Sequence, residues 1–225
     1  MDGLFSPGQL PGPLDSTFLI DSDHPDIADK ARELTECLSG PSERARRLFY
    51  FVRDEIVYNF APVVRGKDDL MASRPLARGD GFCMQKAILL AALGRASQIP
   101  ARVGFQAIRI HKLREEFVDL LGGSNIFQYH GLNALQLNGR WVKLDATLDL
   151  ALVTRKDYVP VEFSDSTDAL LPTADLFGLP HFDIVHEHGY FDDLGEDLWG
   201  TLWAAMNRVD QEAWRALVLK TDGSM

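Results

Sequence analysis

The sequence predicts an α+β domain, and three observations carry that expectation. Two amphipathic helical patterns follow one another within residues 25–56. A third helical pattern, over residues 83–98, is apolar on nearly every side, which suits a helix at the centre of a domain. Two runs rich in strand formers then flank Asn138-Gly139, the preferred pair for a two-residue hairpin turn.

Taken in order, residues 1–16 hold three prolines and three glycines and read as an irregular arm. The core is expected over 17–155. Residues 25–38 place Ile27, Ala31, Leu34 and Leu38 at helical spacing, with Asp23 as the cap and Gly40-Pro41 as the stop. Cys37 lies beside Leu34 and Leu38 and is read as a core residue. Ser42 and Ala45 open a second helix with a wide apolar face (Leu48, Phe49, Phe51, Val52, Ile56); the basic "RARR" of 44–47 is its exposed side. Residues 101–110 alternate through Val103, Phe105 and Ala107 as a strand does. The polar "KLREEFVDLL" is a short surface helix. Residues 157–207 contain eleven Asp or Glu and no Lys or Arg, and read as an acidic, loop-rich cap. A last helix over about 195–218, with Leu198, Trp199, Leu202, Trp203, Met206 and Val209 on one stripe, is expected to dock on the core, so that 156–225 forms one terminal segment.

The chain has 225 residues, 46% hydrophobic and 25% charged, with a formal net charge of −10. That length suits one substantial domain with a full core. A chain this acidic is a poor polyanion binder, so neither nucleic acid nor an anionic membrane is expected as a partner. No stretch approaches a membrane span, and the N-terminus lacks the basic and apolar regions of a signal peptide. With two cysteines, Cys37 and Cys83, and no spacing that suggests a disulfide framework, the expected setting is reduced and cytoplasmic. His181, His186 and His188 lie among acids, but no ligand cluster elsewhere completes a metal site, and no cofactor is expected.

Cys83 stands at the first turn of the apolar helix, just behind Gly79-Asp80-Gly81. First-turn amides have no intrahelical partners and together carry about half a positive charge. A thiol there can ionise at a pKa of about 3.5–7.5 rather than about 8.5. Lys86, one turn in, adds a positive charge if it points the same way. The glycines allow close approach of a substrate and leave amides free to bind an oxyanion. A lone cysteine in a helix is ordinarily a small core residue, and two further residues reverse that preference. With Leu137 opposite Arg140 in the hairpin, Leu132 opposes Asp145 and His130 opposes Thr147. His130 and Asp145 then project from the same face as diagonal neighbours, about 7–8 Å apart at the backbone. A nucleophile, a base and a group that orients the base are the parts of covalent catalysis.

These features resemble the transglutaminase-like superfamily of papain-fold cysteine enzymes. The resemblance rests on "GFC" before the central helix, "QIPAR" at its far end, a strand with His130, and "W-x-x-L-D" running into "LDAT". The upstream "FYFVRDEIVY" resembles the helix that precedes the nucleophile, and the whole covers residues 17–150. The resemblance implies a papain-like core in which the Cys83 helix packs on an antiparallel sheet containing the hairpin. It makes Cys83 the nucleophile, His130 the general base and Asp145 its orienting group. The Cys83 amide is one oxyanion donor; Tyr58, Asn59, Gly81 and Phe82 are further candidates for the oxyanion or substrate. The sequence departs from the family pattern in "HGLNAL", where glycine directly follows the histidine, which bears on the shape of the groove.

The reading that results is a hydrolase of peptide or small-molecule amide or ester bonds, working through a thioester. An acyltransferase with the same triad is the alternative, since "RGDGFC" resembles the nucleophile loop of arylamine N-acetyltransferases. A binding protein on an inactive fold is the third. The sequence leaves the substrate and the oligomeric state open.

Overall fold

The structure, a computed structural model, describes residues 10–221. At its centre lies helix α4 (Cys83–Ala96), whose residues from Cys83 to Arg95 are all buried. Three of them are long and polar, and each is satisfied in a different direction. Gln85 donates to Asp69 O at 2.7 Å. Lys86 Nζ donates to the carbonyls of Arg53 (3.1 Å) and Ile56 (2.6 Å). Arg95 donates to the carbonyls of Ala101, Asp15 and Asp192. A buried charge is tolerable only when its donors are met in this way. The central helix therefore ties together the N-terminal arm, the segment before Cys83 and the end of the sheet.

Two helices, α1 (Pro25–Thr35) and α2 (Pro41–Tyr50), cover one side of α4. The α1 cap is His24, whose Nδ1 accepts from Asp26 N, and not the expected Asp23; the Asp23 carboxylate instead meets Ser16 Oγ. Helix α1 also stops at Thr35, so Cys37 falls beyond it and is exposed, contrary to the core position read from its neighbours. Gly40-Pro41 opens α2, with Pro41 in the first turn, where a missing N–H costs nothing. Of the basic run, Arg46 and Arg47 are exposed, whereas Arg44 is half-buried and donates to Ser97 O at 2.8 Å. The chain leaves α2 through a π-helical turn, Phe51–Glu55, whose Arg53 is buried against Asp54 and Glu162.

Two short strands, β1 (Val57–Tyr58) and β2 (Asp80–Gly81), pair in parallel beside the start of α4. The helix α3 (Ser73–Arg78) between them ends on Gly79 at φ 75°, a left-handed cap that glycine adopts without strain. The main sheet is antiparallel with the order β5-β4-β3-β6. It comprises β3 (Ala101–Ile110), β4 (Ile126–Leu137), β5 (Arg140–Leu144) and β6 (Phe182–Phe191). The hairpin turns at Asn138 (φ 51°) and Gly139 (φ 78°) with Leu137 facing Arg140, the register read from the sequence. Helix α5 (Glu115–Leu120) follows β3 as expected.

The terminal segment is more regular than its composition suggested. Within 157–207, β6 completes the sheet as the neighbour of β3. Helix α6 (Leu150–Arg155) precedes it, and the single C-terminal helix expected is in fact two, α7 (Glu196–Met206) and α8 (Gln211–Lys220). The break falls where Asp210 caps α8 through the amides of Glu212 and Ala213. Among the described residues no helix is long and apolar enough to cross a membrane.

Candidate active site

Cys83 is the first residue of α4, entered through the extended backbone of Phe82 (φ −86°, ψ 175°). Its thiol is buried, and the His130 ring, the backbone N–H of Gly131 and the Tyr58 hydroxyl are the groups that act on its charge. Burial alone would push this thiol up. The hydrogen bond and positive charge of His130, then the Gly131 amide and the Tyr58 hydroxyl, reverse that and lower it. Tyr58 pays the complementary cost, since burial and the neighbouring thiolate push its phenol well above the usual range.

His130 sits on β4 opposite Gln106 of β3. Its Nε2 lies 2.6 Å from Asp145 Oδ2, which leaves Nδ1 for Cys83. Burial would lower the imidazole, but the Asp145 carboxylate and the Cys83 thiolate outweigh it and hold the ring up to about 10. Each group thus favours the charged form of the other, a thiolate beside an imidazolium. The second oxygen of Asp145 accepts from Thr147 N (3.1 Å) and Thr147 Oγ1 (2.6 Å), so both carboxylate oxygens are engaged.

The hairpin ladder ends at Asn133–Leu144, one pair short of the Leu132–Asp145 pairing expected. Beyond it the chain joins the terminal segment instead: Leu144 bridges Ala169, and Asp145 N donates to Ala169 O at 2.9 Å. Asp145 is therefore aimed at His130 by residue 169 as well as by the hairpin.

The glycine after the histidine has a steric reason. A Cβ on Gly131 would lie 2.8 Å from Met84 Cα and 3.0 Å from both Met84 N and Cys83 O. Only glycine lets β4 approach the first turn of α4 closely enough for the Gly131 amide to reach the thiol.

The remaining candidates from the sequence are divided by their partners. Asn59 is committed at both ends, its Nδ2 to Asp80 Oδ1 (3.2 Å) and its Oδ1 to Ala61 N (2.8 Å). Phe82 N donates to Gln85 Oε1 at 3.4 Å. Gly81 packs between Gln85 and Pro75. Tyr58 alone brings a side-chain donor to the thiol, and its strand is fixed by Tyr58 N donating to Asp149 Oδ2 at 2.8 Å. Lys86 points away from the thiol, into the carbonyls beneath the π-helical turn, where burial lowers it to about 7.

A cleft of about 560 Å³ opens in front of this group. Tyr58, Phe82, Met84 and His130 form its inner wall, with Cys83 just behind them. Its roof comes from the terminal segment, including Leu202, Trp203, Met206 and Trp214. Trp214 Nε1 donates to Phe60 O at 2.8 Å, which fastens α8 across the opening. The acidic cap, with loops 60–80 and 111–128, is the groove wall expected from the sequence, and residues of all three line the cleft. Which cap residues face it is not legible there, because an apolar stripe has the same spacing against a packed core or a cleft. Of the other histidines, His188 Nε2 lies 2.7 Å from Gln128 O and His181 is buried elsewhere. Among the described residues no group of three or more His, Cys, Asp or Glu could hold a metal.

A buried Cys-His-Asp line at the mouth of a central helix, set against an antiparallel sheet, is the arrangement of papain-like cysteine enzymes. The family model of the transglutaminase-like superfamily matches residues 28–146, just over half of the chain, and the chain belongs to that superfamily. Among solved structures, it is similar to a "putative cysteine protease" from Cytophaga hutchinsonii (TM-score 0.48, 17% identity, covering 80% of this chain and 53% of that one). It is also similar to a "putative protease" from Parabacteroides distasonis (TM-score 0.38, 16% identity, 62% and 27%). A third is the periplasmic domain of TgpA from Pseudomonas aeruginosa (TM-score 0.40, 23% identity, 61% and 44%). The chain thus spans about half, or less, of the length of each of these structures. Among curated proteins none matches it significantly.

Proposed function

We propose that the protein is a cysteine-dependent hydrolase of amide bonds, acting on a peptide or small-molecule amide through a thioester. The observation that carries this is the buried line from Cys83 through His130 to Asp145, with its 2.6 Å hydrogen bond and lowered thiol.

In this reading the Cys83 thiolate attacks the substrate carbonyl, forming a C–S bond and an oxyanion. The Cys83 N–H and the Tyr58 hydroxyl donate to that oxyanion. Tyr58 already donates to the thiolate, so its hydrogen bond passes to the oxygen as the sulfur loses its charge. The His130 imidazolium gives its proton to the leaving nitrogen as the C–N bond breaks. Neutral His130 then takes a proton from water, whose oxygen attacks the thioester, and the thiolate and imidazolium return. Asp145 fixes the ring and stabilises its charge throughout. A reduced, cytoplasmic setting is part of this proposal, on the two-cysteine composition of the chain alone.

The test is mass spectrometry of the protein mixed with a panel of activated acyl esters and amides, with and without added primary amines. An acyl adduct on Cys83 that resolves to free acid supports hydrolysis. Amide product dominating when amines are present would replace hydrolysis by acyl transfer. Absence of any adduct would leave only the non-catalytic reading. Cys83→Ala and His130→Ala should each abolish turnover, and the pair together should lose almost nothing more.

A further inference from the structure

The cleft has a charge that the chain as a whole does not lead one to expect. The protein carries 33 acidic residues and a net charge of −10, yet none of the residues that line the cleft is Asp or Glu. Apart from His130, its ionisable cations are Lys156 and Arg208, and Arg208 is exposed. Lys156, at the end of α6, is half-buried; its N–H donates to Leu152 O, but its ammonium has no ion-pair or hydrogen-bond partner among the described residues. The charges that act on it are other cations, Arg155 and Arg114. A cation placed in a largely apolar cleft, without its own carboxylate, is a group awaiting an anion.

Its position sets the length of what would reach it. His130 pairs with Gln106 at one end of the β3 floor, and Ile110, four residues on, pairs with Phe182. Lys156 lies at this second end: it acts on the charge of His181, next to Phe182, and Tyr158 packs against Phe182. Four strand residues span ~13 Å. Between the two ends the cleft is apolar, floored by Ile108, Ile110 and Phe127 and roofed by Trp203, Met206 and Trp214.

We propose that this cleft is the binding site for an extended apolar chain ending in a carboxylate, held with the carboxylate at Lys156 and the remainder of the chain leading to Cys83. The substrate class that follows is an amide whose apolar part carries a distal carboxylate. That step rests on the hydrolase reading; the binding site itself does not. The acidic terminal segment serves this site by supplying apolar roof residues while keeping its own carboxylates outside.

Equilibrium binding of simple probes to the full chain tests this, followed by the fluorescence of Trp203 and Trp214, which line the cleft. Acetate, hexanoate and decanoate should bind with affinity that rises with chain length, each added methylene giving about 3- to 4-fold at full burial. Lys156→Met should weaken decanoate about 10-fold and leave decanol unchanged, while Lys156→Arg should retain the preference for the acid. Affinity independent of chain length, decanoate binding unaffected by Lys156→Met, or a preference for decylamine would each overturn the proposal. Acylation of Cys83 by an acetyl thioester, measured in parallel, separates the two readings. Acylation without any carboxylate-dependent binding refutes the site and leaves the hydrolase standing; the reverse refutes the hydrolase and leaves the site.

Discussion

Gly131 and Met84 meet backbone to backbone: a Cβ on the glycine would lie 2.8 Å from Met84 Cα. This contact joins the histidine strand to the nucleophile helix one residue away from each functional side chain. Because the opposing atoms are main chain, they cannot turn aside as a flexible side chain would. Gly131→Ala should therefore destabilise the protein by about 1–3 kcal/mol through overpacking. It should also slow iodoacetamide labelling of Cys83 at neutral pH, by moving the Gly131 amide off the thiol. Urea unfolding and labelling rates, read in a Cys37→Ser background to remove the exposed thiol, check both. Wild-type values in both would refute the close approach.

In the proposed mechanism the His130–Asp145 bond sets the alkaline limit of turnover. There the imidazolium protonates the leaving nitrogen, so turnover should decline as pH rises through about 10, where His130 titrates. Asp145→Asn removes the charge that raises the ring and should shift this limb towards acid by at least about one unit. The same change raises the thiol, since the imidazolium is its main stabiliser. A raised imidazole stabilises the fold fully below its unfolded value of 6.5 and loses that contribution as pH rises through about 10. In Asp145→Asn that loss should be smaller and complete at lower pH. A pH–rate profile identical to the wild type would show that Asp145 does not act through His130.

Tyr58→Phe keeps the ring in the cleft wall and removes only the hydroxyl. If that hydroxyl serves the oxyanion, kcat should fall about 10²–10³-fold with little change in KM. Steady-state kinetics on an activated amide decide it, and a fall in kcat below about tenfold would assign the oxyanion to backbone amides alone.

His181 makes a separate prediction about acid stability. It is buried between the rings of Tyr158 and Phe182, each centroid 3.7 Å away, and neither ring nitrogen has a partner among the described residues. Burial lowers it to about 4 from 6.5. Between those values the unfolded chain binds the extra proton, so stability should decline as pH falls from about 6.5 to about 4, by about 3 kcal/mol. His181→Phe keeps the stacking, removes two unpaired nitrogens, and should flatten this dependence. Urea midpoints at neutral and mildly acid pH check it; an unchanged acid slope in the variant would place the lability elsewhere.

Cys83, His130 and Asp145 were legible because each belongs to an element with a local signature: a helix mouth, a strand, and a hairpin pinned by Asn138-Gly139. The route to the His–Asp contact was less so. The expected diagonal depended on the ladder continuing past Leu144, whereas the chain there turns to Ala169, a partner 24 positions on from Asp145 that no local pattern announces. Strand β6 was illegible for a related reason. Its central residues, from Ile184 to Glu187, are exposed at the sheet edge, so no buried alternation marks them, and its pairing with β3 is set by tertiary contact alone. Cys37 misled because the helical spacing that places it beside Leu34 holds only while the helix continues, and α1 ends at Thr35.

The pairing of β3 with β6 also has a consequence in time. The two strands are separated by the whole stretch from Ile110 to Phe182, and Asp145 waits on Ala169. On a ribosome adding residues at 5–20 per second, Cys83 is synthesised roughly 5–20 s before Phe191. Pairings this remote in sequence are also slow to find one another. His130, Asp145 and the cleft residues of α7 and α8 are thus all made after Cys83. A nascent chain carries the thiol well before it carries the imidazole, carboxylate and Ala169 contact that surround it in the fold.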